Sequence, residues 1–340
     1  MSDRVKLGII GCGGMGNHHA GVLKDMEQVE VVAACDLIEA KARKTADAAG
    51  ARWCTDFRDL LDDVDAVWVC TEPFNRLEIV TTCAEAGKGI FTEKPVALNL
   101  AEADEMIAAA RAAGVTYMVG YVLRFTEPYR LMRQAVADGE LGELVTCWTR
   151  RYMPWEPAGW YGKQELSGGV ALDFGSHDVD WLRWVGGDVA GVLGRTFVVR
   201  PGAGADEHSQ MLMNFKNGGT GTCDVSWSAS LSESSVGVVG STGAIIVGRD
   251  GAVRRKLAGR EEEVLDVEAA TDVDPEGNIE KTPGGDDGSA ARSETIQQHF
   301  FRCLDEGIEP ISSAVEARKT LATVLAIQES SRTGQTVAVD

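Results

Sequence analysis

Gly11-Cys12-Gly13-Gly14-Met15-Gly16 constrains this chain more than any other stretch, because it follows the β-branched run VKLGII and opens a helical pattern. Gly11 suits a tight turn, Gly13 lets backbone lie close to an incoming group, and Gly16 lets helix and strand pack without a side chain between them. Gly14 and Met15 begin the helix. Its first turn presents free N–H groups and the positive end of the helix dipole, a natural seat for a pyrophosphate. An acid, Asp36, closes the next β-branched run, VEVVAAC, twenty residues beyond Gly16. There its carboxylate can accept from an adenosine ribose and repel a 2′-phosphate, so the pattern predicts NAD rather than NADP. Leu37 and Ile38 bring no charge that would reverse the preference, although Lys41 and Arg43 lie nearby.

The same alternation continues. DAVWVC leads into a helical run ending near Glu85, KGIFT precedes the helical pattern AEADEMIAAARAAG, and VTYMVG follows it. Short runs alternating with helices predict a parallel sheet covered on both faces, over residues 1–122. The pattern then changes. Residues 128–138 and 169–185 read as helices and 143–152 as a strand. VLGRTFVVR, SQMLMNF, GTCDVSWSA, SVGVVG and AIIVG read as strands separated by Gly, Asn and Ser turns. Residues 123–340 are therefore expected to form an α+β domain on a mostly antiparallel sheet. Two helical patterns, 290–306 and 313–332, close it and are candidates to pack back on the first domain.

Charge narrows the range of partners. A net charge of −19 argues against nucleic acid and anionic membrane surfaces. Residues 261–287 hold eleven acids and one lysine, which reads as a solvated edge and loop; as a field it would attract a cationic substrate such as an amino sugar. GGDDG at 284–288 reads as a mobile loop. The chain has no apolar run of membrane-spanning length. Eight cysteines, scattered and mostly in apolar runs, read as reduced core residues of a cytoplasmic protein, and their spacing suggests no metal site.

Two further motifs are more specific than the glycines. Thr92-Glu93-Lys94-Pro95 follows the fifth strand, and Gly168-Gly169-x-x-x-Asp173-x-Gly175-x-His177-x-x-Asp180 lies in the helical region beyond. With the glycine turn and a C-terminal TGQTV, they give the whole chain a resemblance to the Gfo/Idh/MocA oxidoreductases. The resemblance implies a Rossmann domain followed by an open-faced, mostly antiparallel sheet domain that often forms dimers or tetramers. It also implies a nicotinamide cofactor, a polyol or sugar substrate, a commonly cis Lys94–Pro95 bond, and an active site lined by Lys94, Asp173 and His177. Thr71, Glu93 and Lys94 would adjoin the cofactor. One segment departs: where many relatives carry Thr-Pro-Asn-x-x-His, this chain has Thr71-Glu72-Pro73-Phe74-Asn75-Arg76.

These residue types suit alcohol oxidation, in which a hydroxyl proton leaves as hydride departs from the same carbon. Imidazole is a fitting general base near neutral pH. Asp173 and His177 are four apart and would share one face of a helix. Lys94 would stabilise a developing alkoxide. Whether His177 or Lys94 takes the proton is left open. Arg124 can either reach a substrate oxygen or brace the second domain. Trp160, in an aromatic cluster with Trp148, Tyr152, Trp155 and Tyr161, can either pack or meet the C–H face of a sugar ring. The competing reading from a different class is a silent nucleotide-binding sensor or scaffold.

Overall fold

The computed structural model describes residues 4–267 and 294–339. The described chain divides into two units, one running to Gly120 and taking in Thr295–Arg318, the other starting at Tyr121 and resuming at Lys319.

The first unit is a parallel sheet of β1 (Val5–Ile10), β2 (Val29–Cys35), β3 (Arg52–Cys54), β4 (Ala66–Val69), β5 (Gly89–Thr92) and β6 (Tyr117–Val119). Their order is β3-β2-β1-β4-β5-β6, so the winding reverses between β1 and β4. In such sheets the crevice beyond the strand carboxyl ends at that reversal receives the ligand. The helices α1 (Gly14–Leu23), α2 (Glu39–Ala49), α3 (Arg76–Glu85) and α4 (Leu100–Ala113) link the strands. Strands β4 and β5 are buried throughout, as unbroken apolar runs between two helical layers must be. Trp68 stacks on Phe91 at 3.7 Å between centroids, and Phe300 meets Trp68 edge-on at 5.3 Å. Phe300 thus brings the later helix α9 (Ile296–Glu306) into this core.

In the second unit, α5 (Glu127–Ala137), α6 (Gln164–Ser167), α7 (Gly169–Asp173) and α8 (Ser176–Gly186) accompany a nine-stranded sheet. Its strands are β7 (Leu144–Pro154), β8 (Val189–Phe197), β9 (His208–Phe215), β10 (Thr220–Ser226), β11 (Ser228–Gly240), β12 (Gly243–Val247), β13 (Val253–Leu257), β14 (Glu263–Leu265) and β15 (Val337–Ala338). They are ordered β14-β13-β12-β11-β7-β10-β9-β8-β15, antiparallel except where β7 meets β10. Helix α10 (Ala314–Thr333) begins in the first unit and continues in the second. Along β9 burial alternates residue by residue, so among the described residues one face of that strand is covered and the other open.

Two expectations are revised. The single helix over 169–185 is two, α7 and α8, parted at Phe174-Gly175. The amide of Gly175 reaches back to the Val170 carbonyl at 2.8 Å, a wide π-type turn in place of an α-helical one. At the start of the acidic run, read as edge and loop, Glu263–Leu265 form an edge strand, and Glu263 pairs with Arg255 at 3.0 Å. Strands β3, β13 and β14 went unread, being short or highly charged. Residues 268–287 of the acidic run, GGDDG and the start of the 290–306 pattern lie outside the described residues.

Candidate active site

The candidate residues fall on both units, and each set is taken on its own. In the first, each glycine has its own physical reason. Gly11 sits at φ +91°, where a side chain would be strained, and an added Cβ would lie 2.8 Å from Cys70 and Thr71 backbone atoms. A Cβ on Gly16 would fall 1.9 Å from the Gly11 carbonyl oxygen, so helix and strand touch there through backbone alone. At Gly13 a Cβ would meet nothing within 4 Å. Gly13 is also the N-cap of α1 and offers no side-chain cap, while Gly14 is exposed and Met15 half-buried. Asn17 completes the turn. Its amide donates to the carbonyls of Cys12 and Gly13 at 3.0 and 2.7 Å, and its oxygen accepts from the Thr45 hydroxyl. With those carbonyls occupied, the turn offers an anion mainly N–H groups.

Asp36 follows β2 beside this turn. Its carboxylate accepts from the amide of Cys12 at 2.9 Å and from that of Ile38 at 2.8 Å, which fixes negative charge where a ribose would bind. Leu37 and Ile38 are exposed next to it. Thr71 follows β4, and its hydroxyl oxygen is buried with no hydrogen-bond partner. An uncapped helix start, open space at Gly13, a fixed carboxylate and an unsatisfied buried hydroxyl together fit a dinucleotide.

Glu93 and Lys94 follow β5, and the Lys94–Pro95 bond is cis. Glu93 is buried and takes a hydrogen bond from His19 Nε2 at 2.6 Å. Burial alone would raise the Glu93 carboxyl. The His19 hydrogen bond, with charge on His19, Lys94 and Arg76, outweighs burial and holds it below its ordinary value. His19 is one residue that sequence reasoning missed: it packs against Trp68 and Phe91 and also holds Glu93. Arg76 is the other residue that sequence reasoning missed. It is 2 % exposed and donates to the backbone carbonyls of Thr71, Glu93 and Pro95. The signal was the departure from the relatives' motif, where an arginine ends the segment.

In the second unit Asp173 ends α7 and His177 lies in the first turn of α8, both buried. They are not four apart on one regular helix, because the wide turn intervenes. That turn is held from the sheet: Arg151 on β7 donates to the Phe174 carbonyl at 2.9 Å and pairs with the buried Asp178. The His177 ring meets Tyr121 edge-on at 6.0 Å between centroids. Arg124 makes a bracing contact within the second unit. It is buried and grips Asp180 of α8 through two bonds of 2.7 and 2.8 Å, and Thr320 also donates to Asp180. Trp160 stacks on Tyr161 at 3.8 Å, and Trp155 links Tyr161 to Trp227 by edge contacts. The described residues contain no group of three or more His, Cys, Asp or Glu side chains arranged for a metal, and no helix long and apolar enough to cross a membrane.

Comparison with known proteins agrees with this architecture. Residues 5–121 match the profile described as an oxidoreductase family with an NAD-binding Rossmann fold, and residues 129–246 match the GFO/IDH/MocA C-terminal domain. The chain is 32% identical over 228 residues to myo-inositol 2-dehydrogenase of Thermotoga maritima, covering 65% of this chain and 68% of that one. It is 28% identical to D-apiose dehydrogenase of Paraburkholderia graminis, over 98% of this chain and 89% of that protein. In fold, it matches levoglucosan dehydrogenase in complex with NADH and levoglucosan with a TM-score of 0.85, at 21% identity over 99% of this chain and 100% of that one. Two matched domains in the family's order, and a relative above 30% identity, lead to one conclusion: the chain belongs to the Gfo/Idh/MocA oxidoreductases, with an NAD-binding Rossmann domain.

Proposed function

We propose that this oxidoreductase oxidises a secondary hydroxyl of a sugar, cyclitol or amino sugar. Residues 1–122 hold the nucleotide, and residues 123–340 receive the substrate and join copies of the chain into a homodimer or homotetramer. NAD, when bound, takes up the hydride. Lys94 lies next to that cofactor and carries positive charge toward the oxygen as its proton leaves. His177 or Lys94 takes the proton, and Asp173 orients the ring or accepts from a neighbouring hydroxyl. Trp160 offers an apolar face to the C–H side of a ring, and Arg124 either reaches a substrate oxygen or braces α8 through Asp180. The observation that carries the reading is Lys94 itself, which follows β5 beside a Rossmann crevice and is flanked by two pinned carbonyls.

The substrate class draws on the relatives' names, which include myo-inositol 2-dehydrogenase, D-apiose dehydrogenase and scyllo-inositol 2-dehydrogenase. Relatives named 1,5-anhydro-D-fructose reductase and 2,7-anhydro-N-acetylneuraminate hydratase favour a second reading, in which the chain reduces a sugar ketone or keeps NAD through the cycle. The test is a screen of inositols, hexoses, anhydrosugars and aminoglycosides with NAD, following NADH absorbance, with Lys94→Ala and His177→Ala alongside. NADH formed by the wild type and lost in both variants supports the dehydrogenase. NADH that binds while every substrate stays inert in both directions points to the sensor or scaffold instead.

A further inference from the structure

We propose that Arg76 is a positioning residue that fixes Lys94 by pinning the backbone on both sides of it; the inference rests on the role given to Lys94 above. Arg76 opens α3 and is among the largest fully buried side chains. Its guanidinium turns to carbonyl oxygens. Nε and Nη2 donate to Thr71 at 3.0 and 2.6 Å, and Nη1 donates to both Glu93 and Pro95. Those last two carbonyls stand immediately before and after Lys94. With both held by one rigid group, the Cα–Cβ direction of Lys94 has little freedom.

The same group joins two strands. Thr71 belongs to the loop after β4, and Glu93-Lys94-Pro95 to the loop after β5, and β4 and β5 are neighbours in the sheet. Arg76 therefore sets the spacing between the cofactor-facing Thr71 loop and the lysine loop. A residue serving only to fill this volume would not need a charge, which is costly in such a place. Burial indeed pulls the Arg76 guanidinium below its ordinary value, against the opposing influence of Tyr117 and Glu93. What the position requires is a planar fork of donors aimed at three carbonyls. Lysine carries its three donors on one atom, and histidine has at most two. Arginine alone spans the set.

The test needs no substrate. Wild type, Arg76→Lys, Lys94→Arg and the double variant are reductively 13C-dimethylated and observed by NMR as NADH complexes, with the Lys94 signal identified by its absence from Lys94→Arg and that of the introduced lysine by its presence in the double variant. We expect Arg76→Lys to shift or broaden that signal while the NADH dissociation constant changes by less than about threefold. Arg76→Gln serves where Arg76→Lys does not fold. An unmoved Lys94 signal beside a lowered Tm would make Arg76 a purely structural residue and overturn the proposal. With a polyol that turns over, Arg76→Lys should lower kcat by about 10- to 100-fold at little change in KM. It should have no further effect in a Lys94→Ala background; an equal loss there also overturns it. If Lys94→Ala keeps the wild-type rate, the role of Lys94 fails instead, and the NMR comparison still judges the hold of Arg76 upon it.

Discussion

Among the glycines of the turn, position decides which law applies. A methyl on Gly16 would collide with a main-chain oxygen that cannot step aside, whereas a methyl on Gly13 would stand in open space. Gly16→Ala should therefore cost about 3 kcal/mol or more and lower Tm, because overpacking against backbone has no cheap relief. Gly13→Ala should fold with nearly the wild-type Tm and yet bind NADH at least about tenfold more weakly, since its methyl takes the space a pyrophosphate needs. Thermal unfolding and NADH fluorescence titration separate the two, and a Gly13→Ala protein with full affinity would remove the pyrophosphate from this place. His19 and Glu93 yield a pH effect. Because the Glu93 carboxyl is held below its ordinary value, its contribution is present above the unfolded range near pH ~4.3 and is lost as pH falls through the lower folded value. His19→Leu leaves that buried carboxylate only the weaker bond from the Lys94 amide, at a cost of about 3 kcal/mol. We expect its acid-unfolding midpoint to move to higher pH. An unchanged midpoint would mean the pair contributes nothing to acid stability. Neither His19 nor Arg76 was legible in sequence as a partner of the Lys94 loop, since each reaches it only through the fold, from α1 and α3.

At the scale of elements, the parallel half was legible because its runs of valine and isoleucine are short, buried on both faces and spaced by capped helices. Asn99 caps α4, Gly50 and Gly114 end α2 and α4 in the left-handed region, and each signal is local. The antiparallel half gave its strands but not their order, because register is set by partners far along the chain. The turn between α7 and α8 was missed for a related reason. Nothing in ALDFGSHDV breaks a helical pattern decisively; the break is stabilised by Arg151, from a strand read separately, which takes the carbonyl that the wide turn frees. Gly175 makes room for it. An added Cβ would lie 2.9 Å from the Ala171 carbonyl oxygen and 3.0 Å from Met211 Cε. Gly175→Ala is expected to destabilise by about 1–3 kcal/mol and to shift His177 relative to Asp173, so kcat should fall by more than the loss of folded protein explains. A variant with wild-type Tm and rate would show that the turn tolerates a side chain and that the spacing of the pair is not under its control.

At the scale of the whole molecule, the face of the second unit's sheet that is open along β9 stands out among the described residues. In-register neighbours point to the same side, so rows can be read straight across the strands. One row runs Leu193, Leu212, Thr222, Trp148, Gly237 and Ile246 over six strands. Leu193, Leu212 and Ile246 are exposed, and the Trp148 ring lies over Gly237, where a Cβ would be 2.3 Å from it. The adjoining row, Arg195, Gln210, Asp224, Arg150 and Ser235, is polar, with Asp224 bound by the Tyr152 hydroxyl at 2.5 Å. An apolar stripe bordered by polar groups on a wide sheet has the anatomy of an interface between copies. A two-fold contact presents the same row twice, so one substitution in it acts twice. We therefore expect the wild type to sediment as a multiple of 36.3 kDa, and Leu212→Glu, at a site already open to water, to shift it toward the single-chain mass with little loss of Tm. A wild type that remains a single chain at about 10 μM, well above the dissociation constants of stable homodimers, would leave this stripe without a second copy to cover it. An assembled Leu212→Glu protein would place the interface elsewhere. The substitution bears on mechanism as well. Leu212 lies on the open face of β9, whereas Met211, the next residue, faces the turn that carries Gly175. If NADH formation falls together with assembly, the covered sheet is what holds Asp173 and His177 in place; if the rate per chain persists, a single chain carries the whole active site.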